Sequence, residues 1–347
     1  MGGGGTVGAT AKHYQYDPLT NVWITKADVP YKAQQPAGTA NGNKIHFFGG
    51  GFPTSGAPVK NHYGYDALLD SWSKAADLTQ ARAIHYGVAL NGLVYTLAGQ
   101  GVADWCEVYD ESTNNWIRKN NLPDTKFWYG AHIATHGSIF RFCGGGYTSP
   151  VNTANRYDPI SDSWTTLPSV PIPIHGIDGA AIGDKIYLVG GYHDFADSDE
   201  VWIYDINTKT YSKGVALPVG RTYHNIVTID KCIYSIGGNN AIDTTVGISL
   251  LRFCPEVNTS SENKFQSSKP ALENHPDHLS IQFDQFSMNH WNLEIIDLNG
   301  KMIYSEKINP LSQNPYNIST AGFSNSYYSV RLYNSQTQYH YPYMICK

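Results

Sequence analysis

Residues 138–164 read SIFRFCGGGYTSPVNTANRYDPISDSW. An alternating strand runs into a small-residue doublet at Cys143-Gly144, a Tyr-Asp pair follows at Tyr157-Asp158, and Trp164 stands six positions after the Asp. The same landmarks recur in the same order along the chain. Tyr16-Asp17 is followed by Trp23, Tyr65-Asp66 by Trp72, Tyr109-Asp110 by Trp116, and Tyr204-Asp205 by Tyr211 in the Trp slot. The doublets begin at Gly49, Ala98, Cys143, Gly190 and Gly237, which are 49, 45, 47 and 47 positions apart. A fixed period of this size marks stacked supersecondary units, none of which buries its apolar face alone.

Each unit reads as four short strands parted by turn residues. Strand one follows a Pro-rich or Arg-containing link, strand two ends at the doublet, strand three ends at Tyr-Asp, and strand four carries the Trp. The glycines allow close backbone approach or positive φ. DPLTN and DPISD are turn chemistry, and the Trp suits a cover over the next unit's apolar face. These residues resemble the kelch repeat, whose signature is a Gly doublet, then Tyr-Asp, then Trp. The resemblance implies an all-β, kelch-type β-propeller over residues 1–254, with Ala98, Cys143 and Tyr211 as departures of similar burial.

The edges of the repeat carry their own expectation. GGGGTVGATAKHYQYDPLTNVW at the start parallels GGGYTSPVNTANRYDPISDSW of a later unit, so the first unit begins mid-blade. The last unit shows strands one, two and three, but no Trp-bearing fourth. Since open rings leave unpaired strand edges, the reading is a six-bladed parent whose N-terminal strands and signal peptide precede this chain. A five-bladed ring is the alternative.

Residues 255–274 are polar and Ser/Asn/Glu-rich and read as a linker. Beyond it, alternating strands parted by Asn-Gly and Asn/Ser turns predict a small β-sandwich. Asn274 and Pro276, LEIIDLNGK with Gly300 and Lys301, IST before Ala321, SYYSVRL and the final Lys347 resemble the C-terminal sorting domain of proteins exported by the type IX secretion system of Bacteroidota. Ser326 replaces the family's usual Gly, and His275 splits its Asn-Pro. The resemblance implies recognition of residues 275–347 by that secretion machinery and an extracellular or cell-surface address.

Composition excludes several functions. The formal charge is -5 with a pI near 6.2, which argues against nucleic acid as a partner. No apolar run is long enough for a membrane span. The five cysteines, Cys106, Cys143, Cys232, Cys254 and Cys346, lack zinc-like spacing and read as apolar fillers of strands, with a Cys232–Cys254 bridge open. No metal or cofactor motif is present.

Candidate ligand-binding residues lie where the doublet loops and the links into strand one share a face of the ring, the face kelch-like propellers use. They are Arg82, His85, Lys126, Trp128, His175, His193, Asp194, Arg221 and His224, with Asp197 and Asp199 beside them. Arg82 with His85 and Arg221 with His224 form two Arg-x-x-His starts, able to grip a carboxylate or simply to tie blades together. YHDFADSDE reads as a solvated loop rather than a cation site. Phe127, Trp128 and Tyr129 offer a stacking surface for sugar. The expected function is a secreted or surface module binding protein or glycan. The alternative is a carbohydrate-active enzyme, of the sialic-acid epimerase type before the galactose oxidase type; a purely structural role is the third.

Overall fold

The computed structural model describes residues 9–18, 22–52, 55–125, 128–146, 148–241, 249–255, 266–267, 271–274, 278–282, 291–297, 301–308, 315–321, 323, 326–333 and 338–345. All regular elements among these are strands. The chain divides into two compact units, one of Met1–Tyr14 with Thr25–Gln266 and one of Gln15–Ile24 with Ser267–Lys347.

In the first unit each repeat folds as one antiparallel four-stranded sheet, here called a blade. Blade 1 comprises Ala37–Asn41, Lys44–Phe48, His62–Asp66 and Ser71–Lys74, and blade 2 Tyr86–Leu90, Leu93–Leu97, Cys106–Asp110 and Asn115–Lys119. Blade 3 comprises Ala131–Thr135, Ser138–Phe142, Ala154–Asp158 and Ser163–Leu167, and blade 4 Asp178–Ile182, Lys185–Val189, Val201–Asp205 and Thr210–Lys213. Blade 5 comprises Asn225–Ile229, Cys232–Ile236, Leu250–Phe253 and the short Gln266–Ser267. Strand one of each blade lies beside strand one of the next, so the first strands surround a central axis as the repeat reading requires. Ahead of blade 1, His13–Asp17 and Val22–Lys26 form a two-stranded sheet with the Tyr-Asp and Trp landmarks of strands three and four.

Hydrogen bonds explain the landmarks. The Asp of Tyr-Asp closes the turn after strand three: Asp66 Oδ1 accepts the N–H groups of Leu68 and Leu69 at 2.9 and 3.0 Å, and Asp205 Oδ1 those of Asn207 and Thr208 at 3.0 and 2.9 Å. The Tyr hydroxyl donates to an Asp or Asn just before strand four, as Tyr65 to Asp70 and Tyr157 to Asp162 at 2.6 Å and Tyr109 to Asn114 at 2.9 Å. Asp70, Asn114 and Asp162 are left-handed, a conformation short polar side chains tolerate. Each also accepts a backbone N–H from the preceding repeat, from Ala27, Ala76 and Asn120 respectively.

The Trp indole completes that joint. Trp72, Trp116 and Trp164 donate Nε1–H to the carbonyls of Ala27, Ala76 and Asn120. Tyr211 does the same with its hydroxyl, to Pro168 O at 2.8 Å, which is why it substitutes for Trp. Both doublet residues are left-handed in every blade, Ala98 and Cys143 included. At Gly50 a Cβ would stand 2.8 Å from that of Ala33 and 2.9 Å from Gln34 O, so glycine is required there.

Two cysteines are not simple fillers. Cys232 and Cys254 form a disulfide closing a loop with a sequence separation of 22, while Cys106 and Cys143 are buried thiols. Cross-linking a loop of that size restricts the unfolded chain and contributes about 3 kcal/mol. Replacing both cysteines with serine is expected to lower propeller stability by about that amount in urea unfolding; an unchanged midpoint would show that the bridge is not formed.

In the second unit the strands Ala271–Asn274, His278–Gln282 and Tyr316–Ser319 form one sheet, and Met302–Ile308, Trp291–Asp297, Ser326–Tyr333 and Gln338–Ile345 another. Leu279, Ile281 and Ile318 of the first sheet pack with Leu293, Ile295, Val330 and Leu332 of the second, which makes a sandwich. Within the polar stretch 255–274, Gln266–Ser267 and Ala271–Asn274 are strands, and residues 256–265 lie outside the described residues.

Candidate functional site

The two Arg-x-x-His starts fold into seams between blades. His85 Nε2 lies 3.2 Å from Phe48 O of blade 1, an acceptor only, so it carries the proton and Nδ1 accepts from Thr96 Oγ1 at 2.9 Å. His224 repeats the arrangement, with Nε2 2.9 Å from Val189 O of blade 4 and Nδ1 3.4 Å from Ser235 Oγ. Burial holds His85 well below its ordinary value and pushes His224 down to about 4, with the neighbouring Arg82 or Arg221 acting in the same direction. Both rings are neutral structural groups.

The arginines are equally enclosed. Arg82 is fully buried, ion-paired to the buried Glu107, and donates to Ala98 O at 3.3 Å. Burial lowers its pKa to about 10, against the opposing pull of Glu107. Arg221 is also buried and donates to Gly237 O at 3.3 Å. The two belong to blades 2 and 5 and tie strand links to doublets rather than reaching a shared ligand. The expectation that Arg82, His85, Arg221 and His224 grip a ligand is corrected by this burial, since each spends its polar atoms inside a seam. Lys126 and Phe127 lie outside the described residues. His193 pairs with Asp194 at 3.0 Å on an exposed hairpin tip, Asp197 Oδ2 accepts the N–H of Ala241 at 2.7 Å, and Asp199 is exposed. Among the described residues no group of three His, Cys, Asp or Glu could hold a metal ion.

What does converge is a set of aromatic side chains from the links into strand one. The residue 14 positions before each doublet is left-handed in all five blades: Gln35, Ile84, Tyr129, Gly176 and Tyr223. Gln35 Nε2 of blade 1 donates to Tyr129 Oη of blade 3 at 2.9 Å. Tyr129 meets Tyr223 of blade 5 edge to face at 4.9 Å. Blades 1 and 3, and blades 3 and 5, are not neighbours, so these contacts cross the central axis. His175 joins from blade 4, with ring centroids 5.8 Å from Tyr223, 5.3 Å from Tyr192 and 6.3 Å from Tyr129. Burial lowers the His175 pKa, which keeps the ring neutral. At Gly176 a Cβ would come within 3.3 Å of the Tyr223 ring, so the missing side chain makes room for it.

The same face exposes further rings: Trp128 at 40%, Tyr223 at 42%, Phe52 at 54% and Phe195 at 88%. Phe195 stands at the tip of the hairpin Tyr192–His193 with Ala196–Asp197, and both tip residues, Asp194 and Phe195, have positive φ. A bulky residue there is strained. Just below the aromatic cluster, Tyr86 and Asp178 begin strand one of blades 2 and 4. Asp178 Oδ1 and Oδ2 accept the N–H groups of Gly179 and Ile226, both at 2.8 Å, and burial raises its pKa to about 7. Burial raises that of Tyr86 too, with Asp178 and Tyr129 adding to the rise and Arg141 opposing it. Gln35, Tyr223, Tyr86 and Asp178 escaped the sequence reading. Aligning the links by distance from the doublet would have exposed them.

Comparisons with known proteins fit this architecture. Residues 175–218 match the Kelch motif model, and residues 275–345 match the Secretion system C-terminal sorting domain. The chain is thus a kelch-repeat β-propeller followed by a secretion sorting domain. It is 27% identical over 259 residues to Kelch-like protein 23 of Homo sapiens, covering 70% of this chain and 44% of that protein. It is 25% identical over 251 residues to Alpha-scruin of Limulus polyphemus, covering 66% of this chain and 27% of that protein. The chain spans under half the length of these curated relatives. The solved structure described as "Structure of YjhT" superposes with a TM-score of 0.63 at 15% identity, over 77% of this chain and 96% of that one, a likeness of fold.

Proposed function

We propose that this chain is a secreted or cell-surface binding module whose ligand sits on the loop face of the propeller, over the axis. The observation that carries the reading is the cluster of Gln35, Tyr129, His175, Tyr192 and Tyr223 from four blades. Aromatic faces beside amide and hydroxyl groups suit the C–H faces and hydroxyls of a sugar ring, and this favours glycan over a protein ligand. Fold alone does not give function, so the argument rests on the cluster. Export through the type IX machinery is supported by the sorting-domain match at residues 275–345. The Cys232–Cys254 disulfide fits an oxidising compartment.

A glycan array is the test. Wild type is expected to bind at least one glycan class, and Trp128→Ala and Tyr223→Ala are each expected to weaken binding about tenfold, since truncating an anchoring aromatic side chain in a binding site costs on the order of 1 kcal/mol or more. A silent array, with capture instead by an extracellular protein lost in the same variants, would turn the reading to a protein ligand. Binding unaffected by either substitution would remove the axial cluster from the site. The enzyme alternative draws on the place of Asp178 at the start of strand one of blade 4, below the aromatic cluster, where burial raises its pKa to about 7, the poise expected of a general acid or base. Turnover of an array-positive sugar, lost in Asp178→Asn, would establish it.

A further inference from the structure

Between blades 1 and 2 runs a chain of hydrogen bonds that neither fold nor binding uses. His62 Nδ1 lies 3.0 Å from Ala76 O, His62 Nε2 lies 2.9 Å from His46 Nδ1, and His46 Nε2 lies 2.9 Å from Glu111 Oε1. His46 and His62 are buried, on strands two and three of blade 1, and Glu111 stands in the turn after strand three of blade 2. Both ends of the chain are acceptors. A carbonyl and a carboxylate hold no proton to give, so the three links need three N–H protons, whereas two neutral imidazoles carry only two. The chain is complete only when the histidine pair takes up one extra proton, with Glu111 as its counter-charge.

We infer that His62, His46 and Glu111 form a one-proton clamp across the seam of blades 1 and 2, open in one link when both rings are neutral and closed on mild acidification. The groups facing it are few. Lys44 on the strand of His46 binds Glu111 Oε2 at 2.7 Å, and Asn41 of strand one donates to Glu111 Oε1 at 3.3 Å. Lys74 opposes and Asp77 favours a charge on His62. Tyr109 and Trp116 of blade 2 pack against the His62 ring, and Tyr109 against that of His46. Burial pushes His62 down to about 4 and His46 below its ordinary value, while Glu111 pulls His46 back up. The shared proton therefore enters below the ordinary imidazole range and belongs to the pair. A second proton would place two cations 2.9 Å apart and is excluded.

Glu111→Gln discriminates this mechanism from mere burial. A glutamine amide can donate to His46 Nε2, which completes the chain with neutral rings and removes the need for a proton. The experiment records imidazole nitrogen-15 shifts of the full chain from pH 8 to 5, with amide exchange of residues 44–48 and 62–66 corrected for intrinsic rate. In wild type, one ring is expected to gain the imidazolium signature while seam amides become about tenfold better protected, the effect of one charge-assisted hydrogen bond. In Glu111→Gln both rings are expected to stay neutral and protection to be pH-independent. Two neutral rings at pH 5 in wild type, or the same pH response in Glu111→Gln as in wild type, would overturn the proposal.

Discussion

Lowering the pH from 7 to 5 is expected to destabilise the propeller by about 2 kcal/mol. Burial pushes His224 down to about 4 and His132 down to about 3. The folded protein holds these rings neutral while the unfolded chain protonates them near pH 6.5. Their stabilisation is fully present above 6.5 and drains away as the pH falls towards the folded values. At pH 5 each of the two has lost about 2 kcal/mol, at roughly 1.4 kcal/mol per pH unit. His85 acts in the same direction. Asp178 acts against them: its pKa is raised to about 7, so its ionisation penalty is relieved as the pH falls from 7 towards 4. One carboxyl offsets about one histidine, so the remaining imidazoles, His85 among them, prevail. Urea unfolding at pH 7.5, 6.0 and 5.0 should show a midpoint falling mainly below 6.5; a midpoint flat to pH 5 would mean the rings are protonated in the folded state.

Glu107→Gln is expected to cost about 3–5 kcal/mol, the penalty of leaving a buried charge without its counter-charge. Arg82 and Glu107 both have fully buried side chains, and Thr79 Oγ1 also donates to Glu107. Arg82→Met alone should cost a similar amount by stranding Glu107. The double variant Arg82→Met/Glu107→Leu should recover most of the loss, because hydrophobic residues of like volume replace a buried pair with little penalty. The measurement is a double-mutant cycle of unfolding free energies. Single variants within about 1 kcal/mol of wild type would show that water reaches the pair, and would reopen Arg82 as a ligand-facing residue.

Most of the fold was legible because the repeat uses residues whose chemistry is local. Asp66, Asp110, Asp158 and Asp205 close their own turns, and Trp72 and Trp116 each donate to a backbone carbonyl of the preceding repeat. Such roles follow from position within a period. The site was less legible for the opposite reason. Arg82 and His85 carry the chemistry that attracts attention, but their partners, Glu107, Thr96 and Phe48 O, are set by the packing of blades. Tyr223 lies next to His224 in sequence, yet a left-handed backbone turns one to the axis and leaves the other in the seam. Trp128 and Tyr129 lie in the link named from sequence as a stacking surface, and Tyr129 packs edge to face against Tyr223. Its partners Gln35 and Tyr223 come from blades 1 and 5, distant in sequence, and meet Tyr129 only across the central axis. The His62–His46–Glu111 chain was invisible for the same reason, since it joins residues of different repeats without any spacing signal.

The neighbours Tyr223 and His224 give the most direct test of the account, since one is placed at the axial mouth and the other in a structural seam. The measurement is the affinity, at pH 7.5 and below the melting transition, of wild type, Tyr223→Ala and His224→Gln for the immobilised glycan that retains the wild-type chain. Tyr223→Ala is expected to lose binding about tenfold with stability unchanged, and His224→Gln to keep its affinity while losing stability. Retained affinity in Tyr223→Ala with binding lost in folded His224→Gln would contradict the placement of the ligand over the axis.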